Sequence, residues 1–164
     1  MSRIRKLGSF GMSVLTIVVI VVVQGILAYR FKVFRYFDLP LIYCVYYGFT
    51  LNRPVASVFI GSVLGLLQDS LSGAALGTNG FSKAVICFAA ASTSLKFNVD
   101  QAITRAFALF LFTLADGLLV TMLGLTMGTG VGGARFADLA LSGVFNTLLG
   151  LIMFGLRDRI RYAS

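Results

Sequence analysis

The sequence predicts an all-α integral membrane protein, folded as a compact bundle of about six transmembrane helices. Only 12% of the 164 residues are charged and 58% are hydrophobic, where soluble domains are about a quarter charged and roughly half apolar. Mean hydropathy is +0.92. The apolar residues gather into six runs separated by short polar or glycine-rich breaks, and a crossing of a hydrocarbon core about 30 Å thick takes roughly 20 such residues. So little charge cannot cover an aqueous surface, so lipid must replace water around most of the chain. The expected spans are 10–29, 34–51, 54–71, 79–95, 102–127 and 136–156, in a single transmembrane domain over 1–164.

The first run, Phe10 to Tyr29, follows Arg3, Arg5 and Lys6. It is too long for a signal peptide, whose apolar region covers about 7 to 15 residues, so it reads as a retained helix. From Val14 to Val23 it is dense in β-branched residues, which favour a strand in water but are acceptable in lipid, where a helix satisfies its own backbone. Arg30 to Asp38 is a basic-aromatic stretch suited to the headgroup interface.

Leu39 to Leu51 and Val55 to Leu67 are runs of thirteen residues each, divided by Asn52, Arg53 and Pro54. At about 1.5 Å per residue neither alone crosses the core. Two readings are open, a re-entrant hairpin or two spans that borrow flanking residues, and the second is preferred. Pro54 suits the first turn of a helix, where a missing N–H costs nothing. Ser70 to Gly80 carries turn chemistry in Gly73, Gly77 and Gly80, with Thr78 or Asn79 as the expected helix cap. The fourth run, Phe81 to Leu95, holds Lys83 one turn in, placed to snorkel. Lys96 to Gln101 is a polar break with Asp100 as candidate cap. Ala102 to Met127 and Phe136 to Leu156 are the fifth and sixth runs, separated by the glycine-rich Gly128 to Ala134 and followed by Arg157, Arg159 and Arg161.

A formal charge of +8 raises the question of nucleic acid. The basic residues lie beside and between apolar runs and not along one soluble face, so a membrane-surface role fits them better. With six spans both termini share a face. That face carries nine basic residues, Arg3, Arg5, Lys6, Arg53, Lys96, Arg105, Arg157, Arg159 and Arg161, against four on the other, Arg30, Lys32, Arg35 and Arg135. The imbalance predicts cytoplasmic termini.

Ser57, Gly61, Gly65 and Asp69 recur every four residues, a strip of small side chains down the third helix that ends at a carboxylate. Ser142, Asn146 and Gly150 repeat the spacing on the sixth. Such strips let helices approach closely, either within the bundle or toward a partner. Asp116 stands mid-span, where a charge costs about 2.5 to 3.5 kcal/mol on insertion scales and therefore faces an interior partner. Asn146, Lys83 and Asp69 are the candidates. Asp69, Asp116 and Asn146 thus form the candidate polar site, for which a ligand, proton or partner contact competes with packing alone. Asp69 also reads as an interfacial cap of the glycine loop, and Lys83 and Arg105 as solvated helix ends.

Histidine is absent, which removes the commonest general base and metal ligand. No P-loop, nucleophile elbow or metal-ligand spacing is present, so binding or scaffolding is the expected class, with no catalytic residue, cofactor or metal. Cys44 and Cys87 lie inside apolar runs and are expected to be small buried hydrophobes with no disulfide between them.

The stretch from Asp38-Leu39-Pro40 through Gly61 and the run Gly65-x-x-x-Asp69-x-x-Ser72-Gly73-x-x-Leu76-Gly77, followed by Ala89 to Phe97, resembles the rod shape-determining MreD family. Asp116 and Asn146 correspond to that family's later carboxylate and asparagine. The resemblance implies a non-enzymatic inner-membrane subunit of the bacterial elongation machinery. Its partner would be MreC, linking MreB filaments to the peptidoglycan synthase and transpeptidase. The family is similar in fold to the substrate-binding subunits of energy-coupling-factor vitamin transporters, which supply the alternative reading. Their helix-one Ala-x-x-x-Ala docking motif has no counterpart in the bulky Leu15 to Val23. A small lipid- or proton-handling transporter, resting on Asp69 and Asp116, is the third.

Overall fold

The computed structural model describes residues 18–27, 29–31, 36–51, 53–73, 75–97, 99, 101–128 and 136–163, with backbone alone at 51, 136 and 156–163. Several expectations lie outside the described residues. They are the start of the first helix with Arg3, Arg5 and Lys6, Lys32 and Arg35 in the basic stretch, Asn52, the Asp100 cap, and 129–135 of the glycine-rich loop. The side chains of Arg157, Arg159 and Arg161 are outside them too.

Among the described residues the fold is six helices and no strand. They are α1 (Val18–Leu27), α2 (Leu39–Leu51), α3 (Pro54–Ser72), α4 (Thr78–Lys96), α5 (Ala102–Thr126) and α6 (Phe136–Ala163). Pro54 opens α3 at its first turn, where its locked φ is already helical. Gly73 closes α3 at φ 66 and Gly77 precedes α4 at φ 99, left-handed conformations that glycine adopts without strain. At its far end α6 continues without a break through the basic tail to Ala163.

Exposure is inverted relative to a soluble protein. Large apolar side chains face outward along α3 (Val55 79% exposed, Phe59 75%), α5 (Ile103 82%, Phe107 65%, Met122 64%) and α6 (Leu148 56%, Ile152 59%), while Lys83 is 0% and Asn146 1% exposed. An exterior of that kind suits hydrocarbon, whereas soluble monomers rarely expose large contiguous apolar patches. Three helical segments, Pro54–Ser72, Ala102–Thr126 and Ala137–Gly155, are long and apolar enough to cross a membrane; Val18–Leu27 and Leu39–Thr50 are shorter apolar helices. The polar row Thr78, Asn79, Ser82 and Lys83 dilutes α4.

The short α2 is the core of the bundle. Leu41, Ile42, Tyr43, Cys44 and Val45 are consecutive, and none is more than 4% exposed; a helix apolar all round is one that neighbours surround. One cluster joins Val21, Tyr43, Cys44, Leu64 and Cys87 across α1 to α4. A second joins Leu41, Val45, Ile86, Ala90, Leu109 and Phe154 across α2, α4, α5 and α6. Tyr46 and Phe49 of α2 both pack on the Phe154 ring.

The closest pairing is α3 against α4, where small residues let the backbones approach. A Cβ added at Gly61 would meet the Lys83 carbonyl carbon at 2.7 Å, and one at Gly65 would meet the Gly80 nitrogen at 2.5 Å. Ser57 is buried on the same face. On α6, Gly150 lies against Leu109 and Ile42, and Gly143 against the Phe110 ring. Ser142, expected on the strip, is only half-buried, and its neighbour Gly143 makes the close approach.

Two expectations are corrected. Cys44 and Cys87 are joined by a disulfide between α2 and α4, with Cα atoms 5.4 Å apart. Each cysteine does sit among apolar neighbours, but a Cβ at Gly48 would lie 2.7 Å from that of Ala90, and helices this close bring the two thiols within bonding reach. Arg105 is also not a solvated end: its Nε donates to the Val99 carbonyl at 2.7 Å, and its guanidinium lies 5.4 Å from the Phe154 ring centroid.

Candidate functional site

Most of the buried polar side chains converge into one cluster to which all six helices contribute. Its centre is Lys83 on α4, completely buried, with Nζ 2.9 Å from Asp38 Oδ2 and 3.6 Å from Asp116 Oδ2. Lys83 therefore does not snorkel. It points inward because two carboxylates wait there, and an ammonium buried in hydrocarbon needs such partners. Nζ also donates to Asn79 Oδ1 at 3.4 Å, one helical turn earlier.

Asp38 is held from four sides. Its Oδ1 accepts the Leu41 N–H at 3.0 Å, capping the start of α2 as a short acceptor at that position does. Its own N–H donates to Asn146 Oδ1 on α6 at 2.8 Å. Gln24 of α1 straddles the same corner, donating from Nε2 to the Phe37 carbonyl and accepting the Leu39 N–H at 3.2 Å. Phe37 packs on Phe145 with ring centroids 5.1 Å apart. Lys83 is the fourth side.

Asp116 on α5 takes its shortest bond from Ser82 Oγ, 2.6 Å from Oδ1. Of its three expected partners only Lys83 is in reach. Asn146 is turned to Asp38, and Asp69 is occupied elsewhere. Asp69, 1% exposed, accepts the backbone N–H groups of Gly77 (2.8 Å), Asn79 (3.1 Å) and Gly80 (3.2 Å), and the Asn79 side-chain Nδ2 (2.8 Å). It is an anion seated on the N-terminus of α4, where free amides and the helix dipole favour negative charge. Thr78 and Asn79 are accordingly not the cap. The cap position is Gly77, without a side-chain bond, and α3 supplies the acceptor.

Asn79 joins Asp69 to Lys83, so the network runs from Asp69 through Asn79 and Lys83 to Asp38 and Asp116. It uses three of the chain's six acidic side chains. Around Lys83, two aspartate side chains face one ammonium. Among the described residues no three His, Cys, Asp or Glu side chains gather as they would for a metal ion. Sequence reasoning missed Asp38, Gln24 and Ser82; it named Lys83 among the candidate partners of Asp116 but preferred a solvated end for it. An aspartate directly before an apolar run, at Asp38-Leu39-Pro40, was the available sign of a helix cap.

Outward apolar helices around a closed ionic core define a polytopic membrane protein whose polar groups serve the bundle's interior. The family model for the rod shape-determining protein MreD matches residues 4–160, and the chain belongs to that family. It is therefore a membrane protein of the rod-shape-determining system, a family of structural proteins and not of known enzymes. The chain has no significant match among curated proteins or solved structures.

Proposed function

We propose that this protein is a non-enzymatic subunit of the bacterial elongation complex, embedded in the inner membrane through six spans with both termini in the cytoplasm. In this reading it binds MreC directly and helps couple MreB filaments to the peptidoglycan synthase and transpeptidase. The observation that carries the reading is the family match over nearly the whole chain. The fold supports it. A protein with so little mass outside its apolar exterior acts by presenting a surface to partners, and the ionic core gives that surface one shape. Buried polar networks are retained for such specificity in some systems, and that is the role assigned here to Asp69, Asp116 and Asn146. Ser57, Gly61, Gly65 and Gly150 serve internal packing in the same scheme.

Deletion in a rod-shaped host tests the reading. Rounded or swollen cells with failed lateral wall synthesis are expected, and in the parent strain MreC is expected in material purified with the protein. Normal shape with a new vitamin requirement would replace the reading with a transporter subunit. Asp116→Leu then tests the site. Lys83 keeps Asp38, and removing a mid-membrane carboxylate relieves an insertion cost, so membrane levels should hold. Rounded cells at normal levels make Asp116 a functional contact; rods make it a packing residue.

A further inference from the structure

The six helices fall into two parts that the chain joins once. α1 to α4 form the first part and α5 with α6 the second, and the five residues 97–101 are the covalent connection between them. Glycine approaches tighter than ordinary contact hold each part together. In the first, a Cβ at Gly48 would lie 2.7 Å from that of Ala90, and Gly61 and Gly65 abut the α4 backbone. In the second, Gly117 receives Leu139, Gly143 the Phe110 ring and Gly150 Leu109. Across the boundary Gly150 meets Ile42 at 3.5 Å, an ordinary contact. The disulfide also lies inside the first part.

The boundary has two ends of different chemistry. Beside the connection it is aromatic: Phe154 packs on Tyr46 and Phe49, and Phe112 on Phe49, while Arg105 ties the Val99 carbonyl to the Phe154 ring. Eight residues back along α6, about 12 Å at roughly 1.5 Å per residue, Asn146 accepts the Asp38 N–H. At that end Asp116 accepts from Ser82 at 2.6 Å and faces Lys83 at 3.6 Å. Phe145 packs there on Tyr36 and Phe37, and Thr78 Oγ1 donates to Met127 Sδ at 3.7 Å. Lipid tails replace apolar contacts between helices, whereas they offer no partner for a broken hydrogen bond. The polar bonds therefore decide whether this end stays shut.

We propose that α5 and α6 form a hinged arm, pivoting at the aromatic end and latched at the other by Asp116 and Asn146, whose opening uncovers Lys83. Opening leaves the Lys83 and Asp38 pair, 2.9 Å apart, within the first part, so the lysine keeps a counterion in both positions. Were its sole counterion on the arm, opening would strand an ammonium in hydrocarbon. The inference concerns the movement of this chain and is independent of the elongation reading.

The test is double electron–electron resonance of the full chain in lipid nanodiscs, with spin labels on pairs of introduced cysteines; Cys44 and Cys87 hold each other and take none. Phe81→Cys with Leu125→Cys reports the latched end, Leu95→Cys with Ile103→Cys the hinge end, and Phe59→Cys with Phe88→Cys the first part alone, all at exposed positions. When Asp116→Ala and Asn146→Ala are combined, the latched-end distance should lengthen by more than about 2 Å, the scale of hinge rearrangements, while the other two hold. Asp116→Asn alone, which keeps an acceptor for Ser82, should retain the parent distance. An unchanged latched-end distance in the double variant, or broadening of all three pairs together, overturns the proposal. Should the double variant fail to fold, Ser82→Ala removes the shortest latch bond with a one-atom change. It should speed alkylation of a Thr113→Cys thiol, buried on the α5 face that carries Leu109 and Asp116, severalfold, and leave a Ser57→Cys thiol, buried on α3, at its parent rate. An unchanged rate at Thr113→Cys, or an equal rise at both positions, overturns the proposal as well.

Discussion

Gly65→Ala adds one methyl group at the tightest point of the bundle. The new Cβ would lie 2.5 Å from the Gly80 nitrogen, with the Asn79 carbonyl closer still, whereas ordinary contact begins at 3.4 Å. Neither obstacle is a side chain that can rotate away, so α3 and α4 must part there by more than about 0.9 Å. Overpacking of this kind costs about 1 to 3 kcal/mol. The movement also draws Asp69 away from the Gly77, Asn79 and Gly80 amides, and hydrogen bonds to a charged group contribute about 1.5 to 3 kcal/mol each. A total loss of about 3 kcal/mol or more is expected. Size-exclusion chromatography of detergent-solubilised protein after graded heating reads it as an early loss of the folded peak. Gly155→Ala, where a Cβ would meet nothing within 4 Å, is the control and should melt with the parent. A Gly65→Ala protein as stable as Gly155→Ala would refute the packing argument. Normal stability with lost MreC association would instead show that the strip receives a partner.

Lys83→Met should be among the most damaging single changes, because breaking a buried ion pair costs about 3 to 5 kcal/mol and two carboxylates lose their counterion; membrane levels should fall, and Lys83→Met with Asp38→Asn and Asp116→Asn should recover part of the loss. Asp69→Ala should raise hydrogen exchange at Gly77, Asn79 and Gly80 while leaving the middle of α5 protected; unchanged exchange would remove Asp69 from its role. For topology, an impermeant thiol reagent on intact cells should label a cysteine placed at Gly73 and spare one placed at Ser164. The native cysteines are paired, so the introduced thiol gives the signal, and the opposite pattern would invert the orientation.

Helix positions were legible because composition and run length depend on local chemistry. Pro54 and Gly73 marked the bounds of α3, and Gly61 and Gly65 marked a close approach, since a missing side chain is itself the signal. Partner identity was legible only in part, since Lys83 stood among three candidates for Asp116 and nothing in the sequence chose between them. Lys83 one turn into a helix has the same local pattern whether it reaches out to headgroups or in to Asp38, 45 residues away, and only the tertiary arrangement decides. Cys44 and Cys87 illustrate the same limit: each was correctly read as buried, and nothing local to either told of the other. Asn146 was singled out for its helical spacing, yet the group it holds is the Asp38 backbone, which no side-chain pattern reports.

Chain synthesis meets the charges of the core in a fixed order, Asp38 first, then Lys83, then Asp116. When the lysine-bearing helix enters the bilayer, its first counterion has already been made and the disulfide-forming partner of Cys87 is beside it. The helix carrying Asp116 arrives last of the three, into a membrane that already holds an ammonium. Of the three ion-paired groups only Asp38, at the very end of a helix, is made before an opposite charge is available, while Asp69, near the end of α3, waits for the α4 amides that receive it. A permuted gene that places α5 ahead of α4 would deliver the second carboxylate before any cation. Its product should be made and degraded, although every contact of the finished bundle remains possible.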